Sequence, residues 1–188
     1  MPLITLIGLP GVGKSTVGRH LARNLGCRFV DSDAEIEKRL GCTIRDFFER
    51  EGEAAFREGE RKVIAELVSA EGGVLATGGG AVLSEANRQV LRAGSTVVYM
   101  RSKPEDLFRR LKHDTHRPLL QVRDPLRKLR ELFMQRDPLY RRTAHFTIDT
   151  GRPSIPGLVN MILMQLELAG LVDPSLVPSP VEPRVLEH

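Results

Sequence analysis

The eight residues from Gly8 to Ser15 have the composition and spacing of a phosphate-binding loop. They read Gly-Leu-Pro-Gly-Val-Gly-Lys-Ser, a complete match to the pattern G-x-x-x-x-G-K-[ST]. Glycines let successive backbone N–H groups converge on phosphate oxygens, because no Cβ atom blocks the approach. The Lys14 ammonium would bridge the β- and γ-phosphates, and the Ser15 hydroxyl would ligate Mg²⁺. The segment therefore predicts a nucleoside triphosphate site rather than a chance glycine-rich turn. The expected nucleotide contacts are Gly11, Val12, Gly13, Lys14, Ser15 and Thr16.

Carboxylates that could support the metal follow two of the predicted strands. Many phosphate-loop enzymes place an aspartate at the end of a neighbouring buried strand, next to Mg²⁺. Here Asp31 ends one short strand and Asp149 ends another, and both would lie at the carboxyl edge of the sheet. Asp31 is followed two residues later by Asp33, so one carboxylate can organise Mg²⁺ water while the other accepts a bond from a substrate hydroxyl. The alternative for Asp33 is that it only caps a helix, and spacing does not decide between the two.

A second group of residues has the character of an anion-binding site. Gly78, Gly79 and Gly80 follow a predicted strand, where backbone N–H groups could cradle a carboxylate or hydroxyls. The alternative for this triplet is a flexible turn. Arg57 lies four residues after Glu53 on a predicted helix, and spacing alone favours an exposed ion pair between the two.

The polar segment 112–124 predicts a lid. It has no periodicity and is longer than most connections between elements. Phosphoryl transfer requires water to be kept from the γ-phosphate, and Arg117 would add positive charge at the transferred group. Further along, Arg136 precedes Asp137-Pro138, a pair predicted to break or end a helix, so its side chain faces either solvent or a crevice.

Five short apolar strands that alternate with helical patterns must position these residues. The strands are predicted at 3–7, 29–31, 74–76, 96–100 and 146–148. This alternation predicts a parallel, doubly wound sheet. We assign residues 1–170 to one domain and the proline-rich residues 171–188 to a disordered or loosely docked tail. The last three residues resemble the start of an expression tag and are left out of the functional argument.

The composition argues against several other classes of protein. No apolar run approaches the roughly 18 residues of a membrane helix, and the folded pattern begins at Leu3, which leaves no room for a targeting peptide. Two cysteines, Cys27 and Cys42, provide neither a disulfide framework nor a four-ligand zinc site, so a reducing cytoplasm is expected. The net charge is +4 and 22 of the 28 basic residues are arginine, which suits small anionic ligands. Aromatic residues are only 5%, so a nucleic-acid stacking surface is not expected.

Together these motifs resemble those of the shikimate kinase family, small phosphate-loop kinases of the nucleoside monophosphate kinase structural group. The resemblance runs from Leu3 to about Leu168 and omits the tail. The phosphate loop is common to many enzymes, but the combination with the other motifs is specific. The motifs follow in family order: Gly8–Ser15, Asp31-Ser32-Asp33, Phe56-Arg57, Gly78-Gly79-Gly80, Arg117-Pro118-Leu119-Leu120, and Arg136 with Pro138-Leu139-Tyr140.

The resemblance implies a three-layer αβα fold and an activity. The reaction is the ATP-dependent phosphorylation of the 3-hydroxyl of shikimate, which yields shikimate 3-phosphate and ADP in aromatic amino-acid biosynthesis. It implies shikimate and ATP as ligands, Mg²⁺ as cofactor, and a monomer without nucleic-acid or membrane partners.

The resemblance also implies a role for each site residue. Asp33 binds the ring hydroxyls and accepts the proton of the attacking one, while Asp31 organises the Mg²⁺ water shell. The shikimate carboxylate is clamped by Arg57 and Arg136 together with the glycine triplet. The remaining assignments are phosphate binding by Lys14 and Arg117, adenine packing by Arg110 and Arg152, pocket lining by Phe48 and Phe56, and orientation of Arg57 by Glu60.

Two alternatives share the phosphate loop. A kinase of gluconate or another sugar acid would also have the lid, but the paired arginines and glycine triplet favour a cyclic carboxylate. A catalytically silent metabolite sensor would be expected to lack Lys14, Asp33 or one of the arginines, all of which are present. Nucleic-acid binding is supported by the basic charge alone.

Overall fold

One parallel sheet forms the centre of the protein. The computed structural model describes residues 1–114, 121–151 and 153–178. Its five strands pair in the order β2-β3-β1-β4-β5, all parallel, so the predicted doubly wound sheet is confirmed. The strands are β1 (Leu3–Ile7), β2 (Phe29–Asp31), β3 (Gly73–Ala76), β4 (Thr96–Arg101) and β5 (Phe146–Asp149).

Seven α-helices surround the sheet within the described part of the chain. Most begin at a residue whose side chain accepts a bond from the first-turn backbone, as at Thr43, Ser84 and Asp124. Two short 3₁₀ helices cover Ala81–Leu83 and Pro174–Leu176. The α-helices are α1 (Lys14–Leu25), α2 (Ser32–Leu40), α3 (Ile44–Ser69), α4 (Glu85–Gly94), α5 (Pro104–Leu111), α6 (Pro125–Thr143) and α7 (Ile155–Leu168).

The helices form a layer on each face of the sheet. Alternate side chains of β1 point to opposite faces, so Ile4 and Leu6 pack with α1 and α7, whereas Leu3 and Ile7 pack with helices α3 to α6. All five residues of β1 are buried, as expected for the central strand of a parallel sheet. The architecture is therefore the three-layer αβα sandwich that the resemblance implies.

Two helices contain a residue that disfavours helical geometry. The helix that carries Arg57, α3, is kinked at Gly52, which has the left-handed φ of 83°. The prediction that Pro138 breaks or ends a helix is wrong, because α6 continues through it to Thr143. Pro138 removes one backbone hydrogen bond, but its acceptor is the carbonyl of Met134, whose side chain is 74% exposed, on a side that water reaches.

The carboxyl ends of the strands lead directly into the predicted site. β1 continues into the phosphate loop, β2 into α2, and β3 into the glycine triplet. At the other end of the chain, residues 171–178 pack on the core through Leu171, Val172 and Val177. Residues 179–188 lie outside the described residues. None of the described helices has the length and apolar character needed to cross a membrane.

Candidate active site

The phosphate loop joins β1 to α1 and directs backbone N–H groups outward. Gly11 and Gly13 have φ values of 82° and 100°, in the left-handed region that other residues avoid. Gly13 is the N-cap of α1, so no side chain covers the first N–H groups of the helix, and its first turn contains no acidic residue. Lys14 is buried and donates from Nζ to the carbonyls of Gly8 at 2.7 Å and Leu9 at 2.9 Å. Uncapped N–H groups, the helix dipole and an ammonium together form an anion-binding loop.

Strand order separates the two candidate metal-side carboxylates. Ser15 Oγ donates a hydrogen bond to Asp31 Oδ2, which brings hydroxyl and carboxylate oxygens together beside the loop. Asp149 ends β5 at the opposite edge of the sheet, where it accepts from Gly151 N and lies 4.0 Å from Arg101. The geometry therefore supports Asp31 rather than Asp149 as the metal-side carboxylate.

One cavity of about 310 Å³ brings most of the predicted nucleotide and substrate residues together. It extends from the phosphate loop across the ends of β2 and β3. The cavity is lined by Pro10, Gly11, Gly13, Lys14, Ser15, Thr16, Asp31, Asp33, Thr77, Gly78 and Gly79. Phosphate-binding amides and two carboxylates therefore border the same space.

Asp33 has the electrostatic environment of a proton acceptor. The helix-cap alternative for it is wrong, because Asp31 caps α2 by accepting from Asp33 N at 3.0 Å and Ala34 N at 3.1 Å. Burial, and then the negative charges of Asp31 and Glu60, raise the pKa of Asp33 to about 6, although Lys14 opposes the shift. A carboxylate with this pKa is ionised at neutral pH and a stronger base than an ordinary aspartate.

The glycine triplet is buried and closely packed rather than a flexible turn. None of its three residues has a left-handed φ, so conformational freedom does not explain the glycines. Lack of space for a side chain does explain them. A Cβ atom on Gly78 would overlap the Asp33 carboxylate, a Cβ atom on Gly79 would overlap the ring of Pro10, and a Cβ atom on Gly80 would overlap the Arg57 guanidinium. The absence of side chains thus allows a carboxylate, the phosphate loop and a guanidinium group to approach one backbone segment.

Two arginines lie beside this segment with unpaired nitrogen atoms. Arg57 makes the predicted pair with Glu53 at 3.4 Å, but it also donates to the buried Glu60 at 2.9 Å. Arg136, on α6, is half-buried. Burial raises the pKa of Glu60 and of Tyr140, and both guanidinium groups lie near enough to oppose these shifts. The Nε atoms of both arginines are buried, and neither has an acceptor among the described residues. Unsatisfied buried donors are rare in proteins, so this pair indicates a place for an anion.

The backbone of the triplet adds two more donors. Its carbonyl groups are all occupied, because Gly78 O accepts from Ala81 N, Gly79 O from the Tyr140 hydroxyl, and Gly80 O from Leu83 N. The N–H groups of Gly79 and Gly80 have no acceptor in the described part of the chain. Four donors without acceptors at one place fit a bound carboxylate.

Of the arginines predicted at the adenine side and in the lid, the structure describes Arg110. Arg110 lies exposed near the end of α5 and lines neither the phosphate cavity nor a second cavity of about 750 Å³. That second cavity is bordered by α5 residues such as Asp106 and by Gly151 and Pro153, on either side of position 152. Arg117, with the central part of the predicted lid, and Arg152 lie outside the described residues.

Sequence reasoning gave no role to two buried hydroxyls that contact the triplet, although both belong to the family motifs. Ser32 lies between Asp31 and Asp33, and its Oγ accepts from Gly78 N at 3.1 Å. Tyr140 follows Arg136 by four residues on α6, which places the two on the same helix face. That spacing was the available signal for Tyr140, whereas the burial of Ser32 is not visible in the sequence.

Comparison with known proteins gives concordant matches over most of the chain. A family model described as shikimate kinase matches residues 10–167. A shikimate kinase of Paracidovorax citrulli is 59% identical over 175 residues, which are 92% of this chain and 96% of that protein. The structure of the shikimate kinase from Acinetobacter baumannii in complex with shikimate is 48% identical, with a TM-score of 0.84 over 92% of this chain and 96% of that one.

A more distant structural match shows how widely the architecture is shared. A gluconokinase from Sinorhizobium meliloti is 20% identical, with a TM-score of 0.55 over 89% of this chain and 93% of that one. At this level of identity the likeness concerns the fold alone.

Proposed function

The chain belongs to the shikimate kinase family, and from that premise we propose a role for each residue around the phosphate cavity. The activity is the ATP-dependent phosphorylation of shikimate, a step in aromatic amino-acid biosynthesis. We assign shikimate to the part of the cavity that Asp33, Gly78 and Gly79 line, and the triphosphate of ATP to the phosphate loop. The supporting observation is the set of four unpaired donors, the Nε atoms of Arg57 and Arg136 and the N–H groups of Gly79 and Gly80.

The carboxylate of shikimate satisfies these donors in the proposed complex. Arg57 and Arg136 approach it from α3 and α6, and the two glycine amides approach from the end of β3. Hydrogen bonds to charged groups contribute more than neutral ones, and a carboxylate accepts up to four. Because the carboxylate of shikimate is held at one end of the site, the orientation of the ring is fixed, and with it the hydroxyl that faces the phosphate loop.

Proton transfer to Asp33 accompanies the attack of the 3-hydroxyl on the γ-phosphorus of ATP. The new O–P bond forms as the bond to the β-phosphate oxygen breaks, the proton moves to the Asp33 carboxylate, and ADP leaves. Asp33 is suited to this step because its pKa of about 6 keeps it ionised at neutral pH and raises its proton affinity. Lys14 and the loop amides hold the phosphates and offset the charge of the transferred group.

The residues beside the loop fit a magnesium ion. Ser15 and Asp31 supply a hydroxyl and a carboxylate oxygen in contact with each other, the hard donors that Mg²⁺ prefers. No cluster of three or more histidine, cysteine, aspartate or glutamate ligands occurs in the part of the chain that the structure describes. This agrees with Mg²⁺, which is held by one or two protein groups, water and substrate phosphates. When bound, the ion supplies positive charge at the phosphates.

The remaining parts of the proposal depend on the family resemblance. We assign Arg117 to the γ-phosphate, Arg110 and Arg152 to the adenine side, residues 1–170 to the kinase domain and 112–124 to its lid. We propose that the protein acts as a monomer in the cytoplasm. Size-exclusion chromatography with light scattering tests the monomer, since a dimer would elute at twice the mass of 21.0 kDa.

A coupled assay of ADP release tests the substrate assignment. With ATP and Mg²⁺ present, we expect turnover to depend on shikimate and to be negligible with gluconate or with no added acid. Arg136→Lys keeps the positive charge but shortens and alters the donor group, so it should raise the KM for shikimate and leave the KM for ATP unchanged. Equal turnover with gluconate, or an unchanged shikimate KM, would contradict the proposed site.

A further inference from the structure

Two buried hydroxyl groups hold the glycine triplet from opposite sides. Ser32 Oγ, at the start of α2, accepts from Gly78 N at 3.1 Å. Tyr140 Oη, on α6, donates to Gly79 O at 2.6 Å. Both side chains are fully buried. Each bond connects the triplet to an element distant in sequence, by 46 residues for Ser32 and 61 for Tyr140.

The bond from Tyr140 determines where an unpaired donor points. A trans peptide unit is planar, so its C=O and the following N–H point in opposite directions. Fixing the Gly79 carbonyl on the Tyr140 hydroxyl therefore directs the Gly80 N–H away from α6. Gly78 O is held in the same way by Ala81 N at 3.1 Å, and this bond orients the N–H of Gly79.

We propose that Ser32 and Tyr140 are positioning residues that fix the glycine triplet in the orientation required to bind the substrate carboxylate. The inference rests on the proposed placement of shikimate and goes beyond it, because neither side chain contacts the substrate there. Without these bonds the triplet, which has no side chains of its own to restrain it, would lose its preferred peptide orientations.

The surroundings of Tyr140 support a positioning role. Its ring stacks on Tyr99, with centroids 4.9 Å apart, so the hydroxyl is rigidly placed. Burial raises the pKa of Tyr140 to about 12 although Arg136 and Arg57 oppose the shift, so the hydroxyl keeps its proton for Gly79 O at neutral pH. Tyr140 is thus near enough to both arginines to feel their charge, and it bonds to the triplet backbone.

Ser32 connects the two ends of the proposed substrate site. It lies between Asp31 and Asp33 at the start of α2, and its bond to Gly78 joins that helix to the triplet. The carboxylate site and the proton acceptor are therefore held at a fixed separation. Loss of this bond should affect both substrate affinity and the rate of the chemical step.

The first test is Tyr140→Phe, which keeps the ring and removes only the hydroxyl. We expect the KM for shikimate to rise by roughly 3- to 10-fold, the effect of one buried hydrogen bond, while the KM for ATP is unchanged. Tyr99→Phe is the matched control, because Tyr99 is an equally buried tyrosine whose hydroxyl donates to Asp137 at 2.7 Å and not to the triplet. Both variants should lose thermal stability, but only Tyr140→Phe should change the shikimate KM.

The second test is Ser32→Ala. We expect kcat to fall and the shikimate KM to rise, each by roughly 3- to 10-fold, with the ATP KM unchanged. Thr5→Val is its control, since it removes a buried hydroxyl on β1 that bonds to Ser95 Oγ at 2.8 Å. KM does not depend on the folded fraction of a preparation, and kcat is expressed per ATP-binding site counted by calorimetric titration, so partial unfolding does not imitate the result.

Two patterns of outcome separate the inference from the function on which it rests. If Arg136→Lys raises the shikimate KM but Tyr140→Phe and Ser32→Ala behave like their controls, the positioning role is wrong and the site stands. If Arg136→Lys also leaves the KM unchanged, the proposed site itself is wrong. Should Tyr140→Phe fail to fold, Ser32→Ala alone decides the positioning role.

Discussion

Glu60 and Arg57 form an ion pair at 2.9 Å in which the carboxylate is 1% exposed and the guanidinium 24% exposed. Burial raises the pKa of Glu60 above its ordinary value, while the charge and hydrogen bond of Arg57 oppose the shift. The same guanidinium pairs with Glu53 at 3.4 Å, whose side chain is 61% exposed. Arg57 therefore has one buried and one exposed carboxylate partner. Substituting each partner in turn separates the contribution of the buried ion pair to stability from that of the exposed one.

Glu60→Ala should destabilise the protein far more than Glu53→Ala. Removing the buried carboxylate leaves Arg57 with only the exposed Glu53 and takes away the buried negative charge near Arg136, and we expect a loss of about 3 kcal/mol in the free energy of unfolding. Removing the exposed one should cost less than about 0.5 kcal/mol. Urea denaturation of both variants at pH 7.5 measures the difference. Equal losses of stability would mean that burial of Glu60 does not strengthen its contribution relative to that of the exposed Glu53.

Arg57→Ala should weaken shikimate binding and leave ATP binding unchanged. The guanidinium lies directly over Gly80, next to the unpaired amides, so the substrate carboxylate would lose a charged donor. We expect a loss of about 2–4 kcal/mol, measured as the change in kcat/KM for shikimate. Arg61→Ala is the control on the same helix, because Arg61 pairs only with exposed Glu58 at 2.8 Å among the described residues. An effect on ATP binding alone would show that Arg57 does not bind the shikimate carboxylate.

Asp33→Asn should reduce turnover without loss of nucleotide binding. The amide occupies the same space against Gly78 but does not accept the proton of the attacking hydroxyl. We expect kcat to fall by about 10²-fold or more at pH 7.5, with an ATP dissociation constant close to that of the parent protein. Calorimetric titration of ATP gives the second quantity. Near-normal turnover would show that Asp33 positions the substrate without accepting its proton.

The phosphate loop could be predicted almost completely from the sequence, since all of its ligands come from one contiguous segment. The parallel, doubly wound type of sheet could also be predicted, because alternating strands and helices leave few possible arrangements. Asp31 and Asp149 were equivalent by that reasoning, since each ends a strand. Only the order β2-β3-β1-β4-β5 places one beside Ser15 and the other at the far edge.

Contacts between distant segments could not be predicted from local patterns. Arg57 and Glu53 have the spacing of an ordinary surface pair, and nothing local reveals that Gly80 packs against the guanidinium. Pro138 is a helix breaker by propensity, yet burial of Tyr140 and Thr143 beyond it stabilises the last turn of α6. For Arg57, tertiary packing adds contacts to the local pair, and at Pro138 it outweighs a penalty of about 3 kcal/mol for proline inside a helix.

His145 should make stability decrease as the pH falls below neutrality. Its Nδ1 accepts from Val97 N at 2.9 Å, and its own backbone N–H donates to Val97 O at 2.7 Å, so the ring extends the pairing of β4 and β5. Burial and the nearby Arg92 lower the pKa of His145. As the pH falls, His145 therefore becomes protonated in the unfolded chain before it does in the folded protein. Stability is lost from about pH 6.5, the ordinary pKa of histidine, down to the lower pKa of His145 in the folded protein.

His145→Asn tests this effect, because an amide oxygen can replace Nδ1 as acceptor and does not titrate. Only part of the ring is buried, so we expect the histidine protein to lose less than about 1 kcal/mol relative to the variant between pH 7.5 and pH 5.5. Comparison of urea midpoints at each pH removes contributions that both proteins share. A constant difference across this range would contradict the prediction.

Asp33 should have the opposite effect on stability. Its pKa is about 6 in the folded protein and 3.8 in a free side chain, so on raising the pH the unfolded state releases its proton first. Above pH 6 the ionised group therefore destabilises the fold, by about 3 kcal/mol for a shift of this size. Asp33→Asn removes this cost, and the variant should be more stable than the parent at pH 8 and gain only about half as much at pH 5. Urea denaturation at both values measures the gain. If the gain in the free energy of unfolding did not change with pH, the substitution would act through packing and not through charge. A gain that grows with pH would mean that the ionised carboxylate that accepts the substrate proton is maintained at the expense of stability.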